Sequence, residues 1–356
     1  TVSVLYWCFV MSAPTTVVLD VNAFPRDMLA LLALSKRPEA VKVAAVVLTP
    51  VGAWADIAID LVAKVMAFAW QSRMAEAPPL FIVDVPRDTP QRERAESLEI
   101  MQRKHSLDLQ CFAGLCTPEV LGHAMEVSAR ATSGLAIGVA SAVAKVTSEH
   151  PRTTLLVASG CCSFAATLLE TYPTAVGSVV VCGGVAEADA TKHGLKHADK
   201  TSSFHACPGF HADPEAAATA LARAHAVPVT LWPSAATNAC AVSEEDIRRL
   251  AAQVTPQSAP WPSAHAQLEA ALWTSYTPLN HAVFGGAGGG IGPLAAALSL
   301  AGVDVAADTA EKSVAVDTAR GHITESPAAS DSSRSVHVVS AFAFDVVKHH
   351  CFGVAS

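Results

Sequence analysis

The chain has 356 residues, 51% of them hydrophobic and only 16% charged, which is enough apolar length for a large buried core and suits an α/β protein whose parallel strands are covered on both faces. A net charge of −8 with no Lys/Arg-rich run excludes general attraction to nucleic-acid phosphates. The nine cysteines are odd in number, and adjacent Cys161-Cys162 has no matched C-x-x-C pairing downstream, a pattern that suits reduced thiols in a cytoplasmic compartment more than a disulfide framework or a zinc site.

In chain order, residues 2–10 are apolar but far shorter than the ~20 residues that cross a bilayer, and they lack a basic flank, so no membrane span is expected. Residues 1–15 read as an N-terminal extension, with Met11 a candidate natural start. An apolar run at 17–20 predicts a first strand, and the run at 28–34 predicts the helix that follows it. Further strands are expected at 43–48, 80–83, 154–158, 178–182 and 228–231. Helices between them are expected at 56–69, 164–171, 213–224 and 243–252.

The densely charged stretch 86–103 reads as a mobile segment near the mouth of a site. Strands at 313–316 and 335–339 and a helix at 342–349 close the pattern, and the Ser- and Ala-rich stretch 324–335 reads as a surface loop. The alternation predicts a mostly parallel, doubly wound, Rossmann-like sheet flanked by helices, as one domain over 16–350 with a tail at 351–356.

The turn between the first strand and helix, Asp20-Val21-Asn22-Ala23-Phe24-Pro25-Arg26-Asp27, resembles the entry motif of the nucleoside hydrolases, D-x-D-P-G-x-D-D. Later blocks follow that family in order. Val46-Val47-Leu48-Thr49-Pro50-Val51-Gly52 is similar to its V-T-x-V-x-G-N turn, and Ala158-Ser159-Gly160-Cys161-Cys162-Ser163 to its A-x-G-P-L-T-N segment. Val179-Val180-Val181-Cys182-Gly183-Gly184 resembles its I-V-x-M-G-G strand, and Asp213-Pro214-Glu215-Ala216-Ala217 its D-P-E-A-A helix start.

The resemblance implies a Ca²⁺ held by carboxylates, which binds the ribose hydroxyls and activates the attacking water; a hard cation of this kind asks for roughly six to eight oxygen ligands. It also implies what this chain has lost. Asp20 and Asp27 keep acidic positions, but Asn22 replaces the carboxylate that serves as ligand and general base, and Arg26 replaces another acid. An amide takes no proton from water, and a guanidinium opposes a divalent cation.

Of the family's H-D-P-L-A-x-A segment, this chain has Ile291-Gly292-Pro293-Leu294-Ala295-Ala296-Ala297, with Ile291 in place of the proton donor and Gly292 in place of a metal ligand. Ala53 replaces a ribose-binding Asn, and Cys207 and Gly209 stand where an E-F-N segment supplies substrate contacts. Ser163 matches a Thr whose contribution is a backbone carbonyl, so that remnant is indifferent to the side chain.

Plainer roles compete with these. Asp20 and Asp27 flank a strand end and a helix start, where acids cap backbone N–H groups and meet the positive end of the helix dipole. Arg26 is expected to pair with one of them in place of the cation. Gly285-Gly286-Ala287-Gly288-Gly289-Gly290 lacks the Lys-Ser/Thr of a P-loop and reads as a flexible connection, and His193, His197, His205 and His211 match no zinc spacing. His281 is the one candidate substitute acid near the altered segment.

Two functions follow from the resemblance. The first is a pseudoenzyme with the hydrolase fold and a degraded site: catalytic residues absent, only vestigial positions left at Asp20, Asn22, Asp27 and Ile291, no metal or cofactor, and metal remnants at Asp27, Ser163 and Gly292. It serves as a structural or interaction subunit, in a homo-oligomer or a larger assembly. The alternative is an active Ca²⁺-dependent N-ribohydrolase of purine or pyrimidine nucleosides.

Overall fold

The computed structural model describes residues 13–22, 24–49, 55–71, 76–84, 117–158, 161–186, 208–234, 236, 245–246, 268–273, 291–319, 321–327 and 335–352. The segments expected at 86–103 and 285–290, most of the helix at 243–252, and Met11, Ala53, Cys207 and His281 lie outside these residues.

The first strand, β1 (Thr15–Val21), is a run of β-branched and apolar residues buried along its second half, as a strand covered on both faces must be. It leads into α1 (Pro25–Ser35), whose start is set by Pro25 in the first turn and whose eleven residues are all buried. A helix apolar almost all round belongs in the interior. Then come β2 (Val41–Leu48), α2 (Ala55–Gln71), β3 (Leu80–Asp84), α3 (Pro118–Arg130), β4 (Thr132–Leu135), α4 (Ala136–Thr147) and β5 (Thr154–Val157).

The second half holds α5 (Ser163–Thr171), β6 (Ser178–Cys182), two helices α6 (Pro208–Ala212) and α7 (Pro214–Ala222), β7 (Val229–Trp232), α8 (Gly292–Leu300), β8 (Ala306–Val316), β9 (Ile323–Pro327), β10 (Val336–Phe342) and α9 (Phe344–Phe352). No helix among the described residues is long and apolar enough to cross a membrane.

The strands form one ten-stranded sheet among the described residues, ordered β4-β3-β2-β1-β5-β6-β7-β10-β8-β9. Pairing is parallel from β4 through β7 and on to β10, and antiparallel where β8 joins β10 and β9 joins β8. The mostly parallel doubly wound sheet expected from the alternation is therefore the architecture found.

Two expectations are corrected. The strand anticipated at 313–316 begins at Ala306, and Ile323–Pro327, whose last four residues fell within the anticipated loop, forms β9. Pairing drives both: β8 lies against β10 over Lys312↔Val336 to Ala306↔Phe342, and Lys312 binds Glu325 of β9 at 2.6 Å.

Side chains alternate along β1 so that Leu19 enters one core and Val18 the other. The first core holds α1, α2, α8 and Trp273; the second holds α4, α5 and α7. The chain winds outward from β1 in one direction as β2, β3, β4 and in the other as β5, β6, β7. That reversal opens a crevice at the carboxyl ends of β1 and β5, the place where open α/β sheets bind ligands.

Candidate functional site

Asp20 is the last residue but one of β1, in register with Val47 of β2 and Val157 of β5. Its side chain is completely buried, and one carboxyl oxygen, Oδ1, accepts from Thr49 Oγ1 at 2.8 Å. The other, Oδ2, has no hydrogen-bond partner among the described residues. Burial raises the Asp20 pKa well above the usual carboxylate value, and the nearby Asp27 charge raises it further, against the Thr49 hydrogen bond.

The turn between β1 and α1 is closed by Asp27, which is also fully buried. Asp27 Oδ2 accepts from the backbone N–H of Asn22 at 2.9 Å, so an acid in the first turn of α1 reaches back to the entering chain, much as in a capping box. Phe24 at the N-cap makes no side-chain cap of its own, so Asp27 carries that duty. Burial raises the Asp27 pKa, opposed by the Arg26 charge and by backbone hydrogen bonds from Asn22 and Phe24.

Arg26 is buried beside it, with Nε 3.7 Å from Asp27 Oδ1 and the guanidinium carbon 5.2 Å from the centre of the Phe24 ring. It lines a narrow pocket with Gly292 and Pro293 of α8, Cys182 at the end of β6 and Gly183 after it, and Trp232 of β7. The expected pairing of Arg26 with one of the two acids is thus present, with Asp27 as the partner. The guanidinium shares its pocket with Gly292, the position where the resemblance calls for a metal ligand.

Ile291 is 2% exposed and packs in the first core beside α8. Gly292 is the first residue of that helix, and α8 lies against α1, so positions 26 and 292 are brought together by helix packing although far apart in sequence. Gly209 is buried in α6. Among the described residues no three His, Cys, Asp or Glu side chains group to hold a metal ion.

Ser163 opens α5, where its carbonyl accepts from Thr167 Oγ1 at 3.0 Å and its hydroxyl donates to Asp213 Oδ2. Asp213 caps α7 by accepting from Ala216 N–H at 3.0 Å. Cys161 Sγ is 3.4 Å from Ser163 Oγ, and burial pushes its thiol pKa up to about 12, which leaves it protonated and a poor nucleophile.

Sequence reasoning assigned no role to Thr49 or Cys161 and did not foresee the Ser163–Asp213 link. Thr49 was visible as the Thr of the second-strand turn, whereas the link joins residues fifty apart and has no local signal.

No protein-family model and no curated protein matches the chain. Solved structures do. An inosine-uridine preferring nucleoside hydrolase from Bacillus anthracis superposes with a TM-score of 0.65 at 15% identity, over 96% of this chain and 100% of that one. The fold is that of the nucleoside hydrolases. A purine-preferring ribonucleoside hydrolase from Gardnerella vaginalis gives 0.63 at 14% identity, over 95% of this chain and 98% of that one. An inosine-guanosine nucleoside hydrolase gives 0.64 at 14%, over 96% and 100%. The likeness runs from end to end, so the nucleoside hydrolase fold accounts for the whole sheet and both helical layers.

Proposed function

We propose that this chain is a non-catalytic protein built on the nucleoside hydrolase fold, acting as a structural or interaction subunit in a reducing, cytoplasmic compartment. The observation that carries the reading is Arg26: a buried guanidinium 3.7 Å from Asp27, in the pocket it shares with Gly292. A permanently charged group there supplies the positive charge that the buried acids lack.

The described residues do not fit a Ca²⁺ ion. Such an ion takes roughly six to eight oxygens. Asn22 offers at most an amide oxygen, Gly292 has no side chain, Ile291 packs in the core, and the Ser163 carbonyl already accepts from Thr167. General-base work is no better served, because a base must reach a water and its substrate, and Asp20 and Asp27 are both fully buried.

The test is a ribose-release assay on inosine and uridine with and without Ca²⁺, paired with calorimetric titration of the ion. No release and no binding heat are expected. Ca²⁺-dependent release that Asp27→Ala abolishes would overturn this reading in favour of an active nucleoside N-ribohydrolase.

A further inference from the structure

At the end of the sheet opposite the 20–27 turn, the amino ends of β2 and β3 open onto a cleft of about 550 Å³, within the roughly 300–1,000 Å³ that small-ligand pockets occupy. Its floor is apolar. Val43 of β2, Leu80 of β3, Val127 of α3 and Val146 of α4 line it, so both cores of the molecule reach the surface at one place.

The charged groups around the cleft fall into two sets. Arg130 and Glu76 satisfy each other at 3.0 Å, and Glu126 meets the same guanidinium at 3.4 Å. Lys42 and Glu149 carry opposite charges and line the same cleft, yet among the described residues neither forms an ion pair. Lys42 Nζ lies 3.2 Å from His150 Nε2, so the ammonium donates to the imidazole and keeps its other N–H donors for a ligand. Glu149 follows the C-terminal end of α4, where the helix dipole also favours a positive charge.

An apolar floor with one uncompensated charge of each sign at its rim complements a molecule that has an apolar body and two oppositely charged ends. The two side chains do not reach each other across the cleft. A free amino acid carries its ammonium and carboxylate on a single carbon, whereas a peptide holds them apart and places apolar side chains between them.

We propose that this cleft binds a short apolar peptide with free ends. Its carboxylate accepts from Lys42 beside His150, its ammonium donates to Glu149, and its side chains lie on Val43, Leu80, Val127 and Val146. The site shares no residue with the Arg26 pocket.

The experiment is calorimetric titration of the full chain with dileucine into the millimolar range, beside dileucine amide, acetylated dileucine and free leucine. Saturable binding of dileucine is expected. Blocking either end, or substituting Lys42→Gln or Glu149→Gln, is expected to weaken binding about fivefold, the upper end of what an exposed ion pair contributes. The blocked ligands also assign the ends: the amide should be indifferent to Lys42→Gln, and the acetylated peptide to Glu149→Gln. Both side chains are exposed, so the variants are expected to melt with the parent. If one fails to fold, the blocked ligands on the parent decide the matter. Absence of saturable binding overturns the proposal, and so does binding that ignores the substitutions and the blocked ends, or free leucine held as tightly as dileucine. Ribose release and Ca²⁺ binding do not bear on it, so the two readings stand or fall separately.

Discussion

At the residue scale the turn 20–27 gives Asp27 a role that needs no cation. Asp27 holds the turn through Asn22 N–H and faces Arg26, so removing the guanidinium leaves a buried carboxylate with less compensation. Arg26→Ala is expected to lower stability by about 3 kcal/mol, the lower end of what deleting one partner of a buried pair costs, because 3.7 Å exceeds hydrogen-bond range. Denaturant titration reads this directly, and an unchanged midpoint would remove the case for Arg26 as the replacement charge.

Asp20 differs, because one oxygen has a hydroxyl partner and the other has none among the described residues. Its folded pKa lies above the unfolded value of about 3.9, so the folded chain keeps a proton that the unfolded chain releases. Stability from the neutral acid is therefore full below that unfolded value and is lost as pH rises through the folded pKa. Asp20→Asn, which keeps an acceptor for Thr49, is expected to raise the melting temperature relative to the parent, by a margin that widens from mild acid toward neutral pH. Melts of the two proteins across that range check the sign; a margin that shrinks with rising pH contradicts it.

At the element scale, what was legible followed from local signals. Strands at 178–182 and near 17–20, 43–48 and 80–83 announced themselves as short β-branched runs, and α7 by the Asp-Pro-Glu start at 213–215. β4 was missed because Thr132-Ser133-Gly134-Leu135 has little β propensity and forms against β3. The extra length of β8 likewise comes from β10, through pairing distant in sequence.

The site divides in the same way. The acids and their capping were readable in the turn, whereas the meeting of Arg26 with Gly292 depends on α1 packing against α8. Asp213 was readable as a helix start but not as the link to α5. Asp213→Ala removes both the Ala216 cap and the Ser163 acceptor, and is expected to cost about 2 kcal/mol. Asp213→Asn should recover most of that, since its side-chain oxygen caps as well. Equal losses in the two variants would place the residue's worth in its charge.

At the scale of the whole molecule, the sheet reverses direction at β1 and β5 between two packed layers, and the proposed function holds that the residues at this reversal have changed together. Base, proton donor and ligands of such a site act as a unit, so single reversions are expected to recover nothing. Asn22→Asp alone returns one acid to a turn where Arg26 still opposes a divalent ion.

The set Asn22→Asp, Arg26→Asp, Ile291→His and Gly292→Asp is the smallest that restores the carboxylates and the proton donor. It carries a cost that the packing makes plain: Ile291 lies in the core, and crowding acids beside Asp20 and Asp27 without Arg26 leaves them repelling one another. That cost makes the outcome measurable by stability as well as by turnover. Without the ion, the fourfold variant should melt below the parent. With Ca²⁺ at a hundred times its dissociation constant it should regain about 2.7 kcal/mol, while the parent and each single variant do not respond. Thermal melts with Ca²⁺ or a chelator distinguish the cases. A parent whose melting temperature climbs with Ca²⁺ would mean that the crevice still binds the ion, with Arg26 displaced from it.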